Sequence, residues 1–331
     1  MATIAARLQP ARRWIIESPI SGPLITLVVV LILFSLFVPN FLTVRSMSGI
    51  VNAATLTGTI TVGVTLLMIA GEFDLSVGPM MAMGAFLFGL TVEGGNPVLA
   101  LLLALLVPAL MGAINGFIVI RTRIPSFITT LSTLFIYRGI VWLFSGGQMF
   151  QTIQEAVIYD VFNGRLDFLA DAIQGANFRT AALWWIGLVL VMQYLLVRTK
   201  FGNHVFATGG GIGAAAAQGV NVRRIKVICF ILSGVAAGFA GVLLFSQFKT
   251  VRIATGAGEE LKAIASAVVG GTLLTGGSGS IVGALLGVLI ISMLRTGVVL
   301  TNLIPADNFE AIVGVTIVAA AIFNHWVREQ S

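Results

Sequence analysis

Ionisable and hydroxylated residues inside apolar sequence are the first candidates for chemistry. Glu72, Asp74 and Ser76 fall within GEFDLSVG, residues 71–78, between two strongly apolar runs. An acidic residue at the centre of a membrane helix costs roughly 2.5–3.5 kcal/mol on insertion scales, so both carboxylates must meet water, a protein partner or a polar lumen. Two readings stand. The stretch is a surface loop in which Asp74 or Ser76 caps the next helix, or it is a break in a pathway-lining helix with Asp74 and Ser76 turned toward a solute. A second run, PSFITTLSTLFIYRG at residues 125–139, starts with a proline suited to a first helical turn. It carries Phe127 and the hydroxyls of Ser126, Thr129, Thr130, Ser132 and Thr133, which either line a passage for a hydroxylated solute or bond back to their own helix. Arg138 falls near the outer end of that run, where a long side chain can snorkel to water.

A third run, GAGEELKAIASAVVGGTLLTGGSGS at residues 256–280, puts Glu259, Glu260 and Lys262 at the outer boundary of a short apolar span and a glycine cluster at the inner boundary. Glycine-rich loops cradle phosphate when they read G-x-x-x-x-G-K-[ST], and no stretch of this chain does, so no nucleotide site of that kind is expected. His204 and His325 are too far apart for a helical H-E-x-x-H pair, and the single Cys229 lies in an apolar run as a small buried hydrophobe. No metal site is expected. No Ser/His/Asp or His/Glu set is placed for catalysis, so the chain is not read as an enzyme.

The elements that must position these residues follow from composition. The 331 residues are 57% hydrophobic and 10% charged, with a mean hydropathy of +1.02. That is more apolar surface than a soluble core can hide, and it predicts an all-α polytopic membrane protein. Apolar spans fall at about 23–38, 48–70, 77–92, 97–120, 124–144, 181–197, 226–248, 262–275, 281–301 and 309–326, about ten in all. The third and eighth are short and adjoin glycine clusters, as expected where backbone lines an internal cavity. Arg7, Arg12 and Arg13 precede the first span and are read as positive-inside charge on a cytosolic tail, residues 1–22. The transmembrane domain then covers 23–326, with 327–331 as a second cytosolic tail. This count places Arg121, Arg123, Arg198, Lys200, Arg223, Arg224, Lys226 and Arg328 inside, and Arg45, Arg165, Arg179, Lys249, Arg252 and Lys262 outside. The outer segment from 145 to 180 repeats Ile153, Val157, Ile158, Val161 and Phe162 at helical spacing, which predicts an amphipathic segment on the surface.

Between two spans lies RTKFGNHVFATGGGIGAAAAQGVNVRRIK, residues 198–226. Alanine is the best helix former and glycine the usual residue past a helix end, so Ile212 to Gln218 reads as a helix of about two turns with flexible joints at Gly209–Gly211 and Gly219. A short stiff rod in a basic loop is suited to being gripped. Gly78, Gly84 and Gly89 resemble Gly279, Gly283 and Gly287, each set opening an apolar span after a break, which is consistent with two related halves.

Four runs in order, GEFDLSVG, PSFITTLSTLFIYRG, the 198–226 loop followed by SGVAAGFAGVLL, and the 256–280 run continuing into IVGALLGVLI, resemble the membrane permease subunits of ribose-type sugar ABC importers, in the broader branched-chain amino acid and sugar permease superfamily. The resemblance covers most of the chain from about residue 50. It implies a type II-like importer fold of about ten helices with two pseudo-related halves in the inner membrane, both termini cytosolic. It also implies a second permease copy, a cytosolic ATP-binding subunit carrying ATP and Mg, a periplasmic sugar-binding protein, and no cofactor on this chain. Gly202, Gly209, Gly210, Ala214, Ala215, Ala216, Gly219 and Arg223 match the segment that couples to the ATPase. The pathway residues are Glu72, Asp74, Ser76, Phe127 and Thr130. Arg179, Lys249 and Arg252 are either docking charges for the binding protein or solvated boundary charge. The chain departs from the family pattern at Asn203, at Gly211 and at Glu72, the last adding a carboxylate. The competing reading is an ion-coupled secondary transporter, for which only Glu72 and Asp74 qualify as interior carboxylates. The solute is a monosaccharide or related polyol, and pentoses, hexoses, inositol-like polyols and sugar-derived signals all remain open.

Overall fold

The computed structural model describes residues 20–301 together with 311, 313–315 and 318. Most of the expected last span at 309–326, most of the first tail and all of the second lie outside the described residues, as do Arg7, Arg12, Arg13, His325 and Arg328.

The described chain is built of helices in the order α1 Ser21–Phe37, α2 Val44–Ile69, α3 Val77–Glu93, α4 Pro97–Thr122 and α5 Ser126–Ser145. These are followed by β1 Phe150–Gln151, α6 Val157–Asn163, α7 Asp167–Ala172, α8 Thr180–Arg198, α9 Lys200–Gly210, α10 Ile212–Ala217 and α11 Val222–Phe248. The last are β2 Thr250–Val251, α12 Glu259–Val269 and α13 Ile281–Thr301. Six of them, α2, α4, α5, α8, α11 and α13, are long and apolar enough to cross a membrane. The chain is therefore a multi-pass membrane protein, although α1 and α3, at 17 residues each, fall short of that length.

Local sequence fixes the helix starts. Thr43 caps α2 by accepting from Ser46 N, Asn96 caps α4 ahead of Pro97, and Asn221 caps α11 by accepting from Arg224 N at 3.1 Å. α11 is the central pillar, packed along α4, α3 and α2. Its glycines allow this: a Cβ on Gly238 would overlap the Ala104 carbonyl of α4, and Gly84 of α3 lies against the same residue. The core between these helices holds Met80, Phe86, Phe88, Ala237 and Phe245, all buried.

The bundle has two ends. At the near end α2, α4 and α8 finish and α5, α11 and α13 begin. At the far end β1 pairs antiparallel with β2, and α6 turns back into the core. The 145–180 segment is thus not simply a surface-lying amphipath. Tyr159 and Phe162 are buried edge-on against Phe88, while Ile153 and Val157 are 92% and 81% exposed. Asn163 locks this cap by donating to the Leu243 carbonyl at 2.7 Å.

The eighth expected span is corrected. The helix runs only from Glu259 to Val269, and residues 270–280 form a glycine turn. Eleven residues rise about 17 Å, half a bilayer core. Its C-terminal turn repeats that of α2: Gly71 N bonds to Met68 O and Glu72 N to Leu67 O, as Gly271 N bonds to Val268 O and Thr272 N to Ala267 O. Gly71 and Gly271 have φ of 83° and 87°, the left-handed backbone that ends a helix in a Schellman turn.

Candidate functional site

The first break, residues 70–76, climbs from the near end into the bundle. Glu72 lies in its first turn and forms an ion pair with Lys226 of α11, both side chains nearly buried. The sequence reading had set these two residues in separate groups. Phe73 N donates to Ser126 Oγ at 3.0 Å, which ties the break to the start of α5.

Asp74 is fully buried and accepts from three donors. Ser76 N and Oγ reach its Oδ1 at 2.9 and 2.6 Å, and Ser233 Oγ reaches Oδ2 at 3.1 Å. Asn115 of α4 donates to Ser76 Oγ at 2.8 Å, and the Tyr137 hydroxyl sits 2.8 Å from Met111 O and 3.0 Å from Asn115 Oδ1. Five polar side chains from four elements thus close one internal network, and such a network specifies a single packing because every unpaired member would be costly. Ser76 stands at the N-cap of α3 without a capping side-chain bond, so neither Asp74 nor Ser76 caps that helix.

Of the hydroxyls on α5, Thr130, Ser132 and Thr133 bond back to carbonyls of their own helix at 2.8, 2.9 and 3.3 Å. Thr130 is buried beside the Phe73 carbonyl, and Phe127 is 54% exposed on the outer face of α5. The five residues expected in the pathway therefore divide: Glu72, Asp74, Ser76 and Thr130 meet protein partners within the chain, while Phe127 faces outward.

The second break starts at the far end and descends. Arg138 does not snorkel; its guanidinium donates to Ile253 O and, at 2.8 Å, to Thr255 O, which holds the descending loop. Gly256 then meets Gly78 backbone against backbone, where a Cβ on either would overlap the carbonyl oxygen of the other. α12 begins just beyond, and Thr57 Oγ1 donates to Glu259 Oε2 at 2.7 Å while Lys262 pairs with Glu259 Oε1 at 3.0 Å. Thr57 is at the midpoint of the 26-residue α2, about 20 Å from either end. Glu259, Glu260 and Lys262 are therefore at mid-depth and not at the outer boundary, so Lys262 also leaves the set of outside loop charges.

At the near end, the expected rod is α10, Ile212 to Ala217, and it is preceded by α9, which the sequence reading missed. Thr199 caps α9 on Gly202 N at 3.3 Å, and Gly202 itself presses on the Leu196 carbonyl of α8. Gly209 and Gly210 close α9 and do not loosen a joint before the rod. A Cβ on Gly209 would overlap the Ile69 carbonyl, to which Gly277 N donates at 2.9 Å. The ends of α2 and α9 and the 270–280 turn thus meet in one glycine junction. Ala215 is buried; Ile212, Ala214 and Ala216 are exposed. Gly219, at φ 81°, completes the turn into α11, where Arg223 borders a cleft of about 360 Å³ with Glu72, Arg123 and Lys226.

At the far end, Arg179 donates to Asn163 O at 2.9 Å, and burial with Arg165 nearby lowers its guanidinium pKa. Lys249 pairs with Glu155 at 2.6 Å and stands over the Tyr159 ring. Burial, with Glu93 and Glu155 nearby, raises the Tyr159 phenol above its ordinary value. Arg252 is exposed, its Nε beside Met149. The three expected docking charges are thus two engaged groups and one open one.

Among the described residues no group of three metal-ligating side chains occurs. No solved structure matches the chain. The chain is 33% identical over 306 residues to the ribose import permease protein of Bacillus subtilis (strain 168), covering 92% of each. It is 31% identical over 326 residues to the ribose import permease protein of Escherichia coli (strain K12), covering 97% of each. Over 292 residues it is 32% identical to the autoinducer 2 import system permease protein of Escherichia coli O9:H4 (strain HS), covering 87% of this chain and 82% of that one. Residues 46–321 match the family described as branched-chain amino acid transport system / permease component, and the chain belongs to that family.

Proposed function

We propose that this chain is the membrane-spanning permease subunit of an ATP-driven ABC importer for a monosaccharide or related polyol delivered by a periplasmic binding protein. The observation that carries this is similarity along nearly the whole chain to two ribose import permeases. The chain works with a second permease copy, crosses the inner membrane about ten times within residues 23–326, and keeps the near end and both termini in the cytosol. It is not itself an enzyme and binds no cofactor; ATP and Mg are held by a separate subunit.

The near end supports this assignment of labour. α10 is a short helix with most of its alanines open, joined through α9 to a junction that reaches the first break and the 270–280 turn, so a subunit that grips α10 has purchase on the bundle interior. Coupling would run through Gly202, Gly209, Gly210, Ala214, Ala215, Ala216, Gly219 and Arg223. Solute would pass a wall that includes Phe127 and the first break, held in shape by Glu72, Asp74, Ser76 and Thr130, and the binding protein would dock against Arg179, Lys249 and Arg252. Family membership favours this over an ion-coupled transporter.

The test is uptake of radiolabelled D-ribose, glucose and myo-inositol into proteoliposomes holding the chain with its ATP-binding subunit and binding protein. Uptake of at least one that needs ATP and survives a proton uncoupler is the expected result. Uptake that survives ATP depletion and stops with the uncoupler would overturn the proposal.

A further inference from the structure

Thr57, Glu259 and Lys262 form a mixed-charge cluster where a membrane protein can least tolerate one. They lie about 20 Å from either end of α2, and the Glu259 and Lys262 side chains are 18% and 19% exposed on the surface of the chain. Charges at this depth face a bundle interior or a water-filled cavity, because hydrocarbon offers them no hydrogen bonds. The surface that carries them is therefore not a lipid-facing one.

We infer that Thr57, Glu259 and Lys262 face the translocation route and form its contact for the hydroxyl groups of a neutral polyol, an inference that rests on the proposed import function. Glu259 offers acceptors, while Lys262 and Thr57 offer donors, so vicinal hydroxyls that both donate and accept can replace the internal bonds one for one. The pair sums to zero charge, which suits a neutral solute better than an ion. Its position also fits: α12, about half a bilayer core long, starts beside the Gly78 and Gly256 contact where the two breaks meet, and solute sites of membrane transporters lie at such interrupted helices. By contrast the carboxylate of Asp74 is fully buried and accepts from three donors of its own network.

The native chain provides an unreactive background for the test, since Cys229 is fully buried. In the importer assembled with its ATP-binding subunit, Lys262→Cys is expected to react with a membrane-impermeant methanethiosulfonate at least tenfold faster than Leu106→Cys, on the exposed apolar face of α4. Equal rates overturn the inference. In ATP-driven uptake of radiolabelled D-ribose, or of whichever panel sugar the unsubstituted importer carries, Thr57→Val and Glu259→Gln are each expected to lower uptake tenfold or more, with Thr57→Ser restoring most of the loss. Full uptake by both variants overturns the inference as well. Failure of the unsubstituted importer to carry any sugar sinks the import proposal instead, and the labelling result still decides whether this surface is wet.

Discussion

Glu72 and Lys226 face each other across the near end as a nearly buried ion pair, joining the first break to the opening turns of α11. Removing one partner of a buried pair strands the other, at a cost of about 3–5 kcal/mol, whereas replacing both with neutral groups of similar volume is often neutral. Glu72→Gln alone is therefore expected to lower the thermal unfolding temperature of the detergent-purified chain, and Glu72→Gln with Lys226→Met to recover most of it. Equal losses in the single and double variants would show that the pair contributes through something other than charge.

Asp74 is expected to matter through shape. Asparagine in its place must present a donor to one of three groups that now donate to it, so Asp74→Asn should leave membrane insertion intact and lower transport. Tyr137→Phe removes the hydroxyl shared between Met111 O and Asn115 Oδ1 and should cost about 1–3 kcal/mol of stability. Uptake by Asp74→Asn equal to that of the native protein would remove this network from the transport cycle.

Two adjacent glycines should behave differently. Gly209→Ala drives a methyl into the Ile69 carbonyl and should abolish stimulation of the ATP-binding subunit, whereas at Gly210 the nearest group to an added Cβ is 4.0 Å away and alanine should be tolerated. ATPase assays on the two variants side by side separate the junction from a generic need for flexibility.

Proline at Ala215 and Ala216 should unwind α10, since proline costs about 3 kcal/mol in a helix interior. Loss of ATP-driven uptake with the bundle still folded is the expected result. Normal coupled uptake would remove α10 as the point of contact.

Arg252 is the cleanest test of docking at the far end. Arg252→Glu should slow association with the binding protein, and the difference should shrink as salt rises. Reversing Arg179 instead should destabilise the far-end cap, because its guanidinium holds the Asn163 carbonyl.

Much of this was legible in the sequence where local chemistry decides. The alanine run between glycines predicted α10, while two carboxylates between apolar runs left residues 71–78 as either a surface loop or a break inside the bundle. The depth of Glu259 and Lys262 was not legible, because hydropathy joins the 11-residue α12 to the apolar residues of the turn beyond it and reads one span. α9 was hidden for a related reason, since Gly202 and Gly209 mark close approach to other backbones and not flexibility. The Glu72 and Lys226 pair joins residues 154 positions apart, and no periodic pattern announces such a partner.

The glycine junction has a mechanical consequence. Ile69, Gly209 and Gly277 touch through backbone alone, with no side chain between them that could change rotamer and absorb a displacement. A displacement of α9 at Gly209 therefore bears on the 70–76 segment and the 270–280 turn together. The first break and the turn that closes α12 thus rest on one shared backbone support.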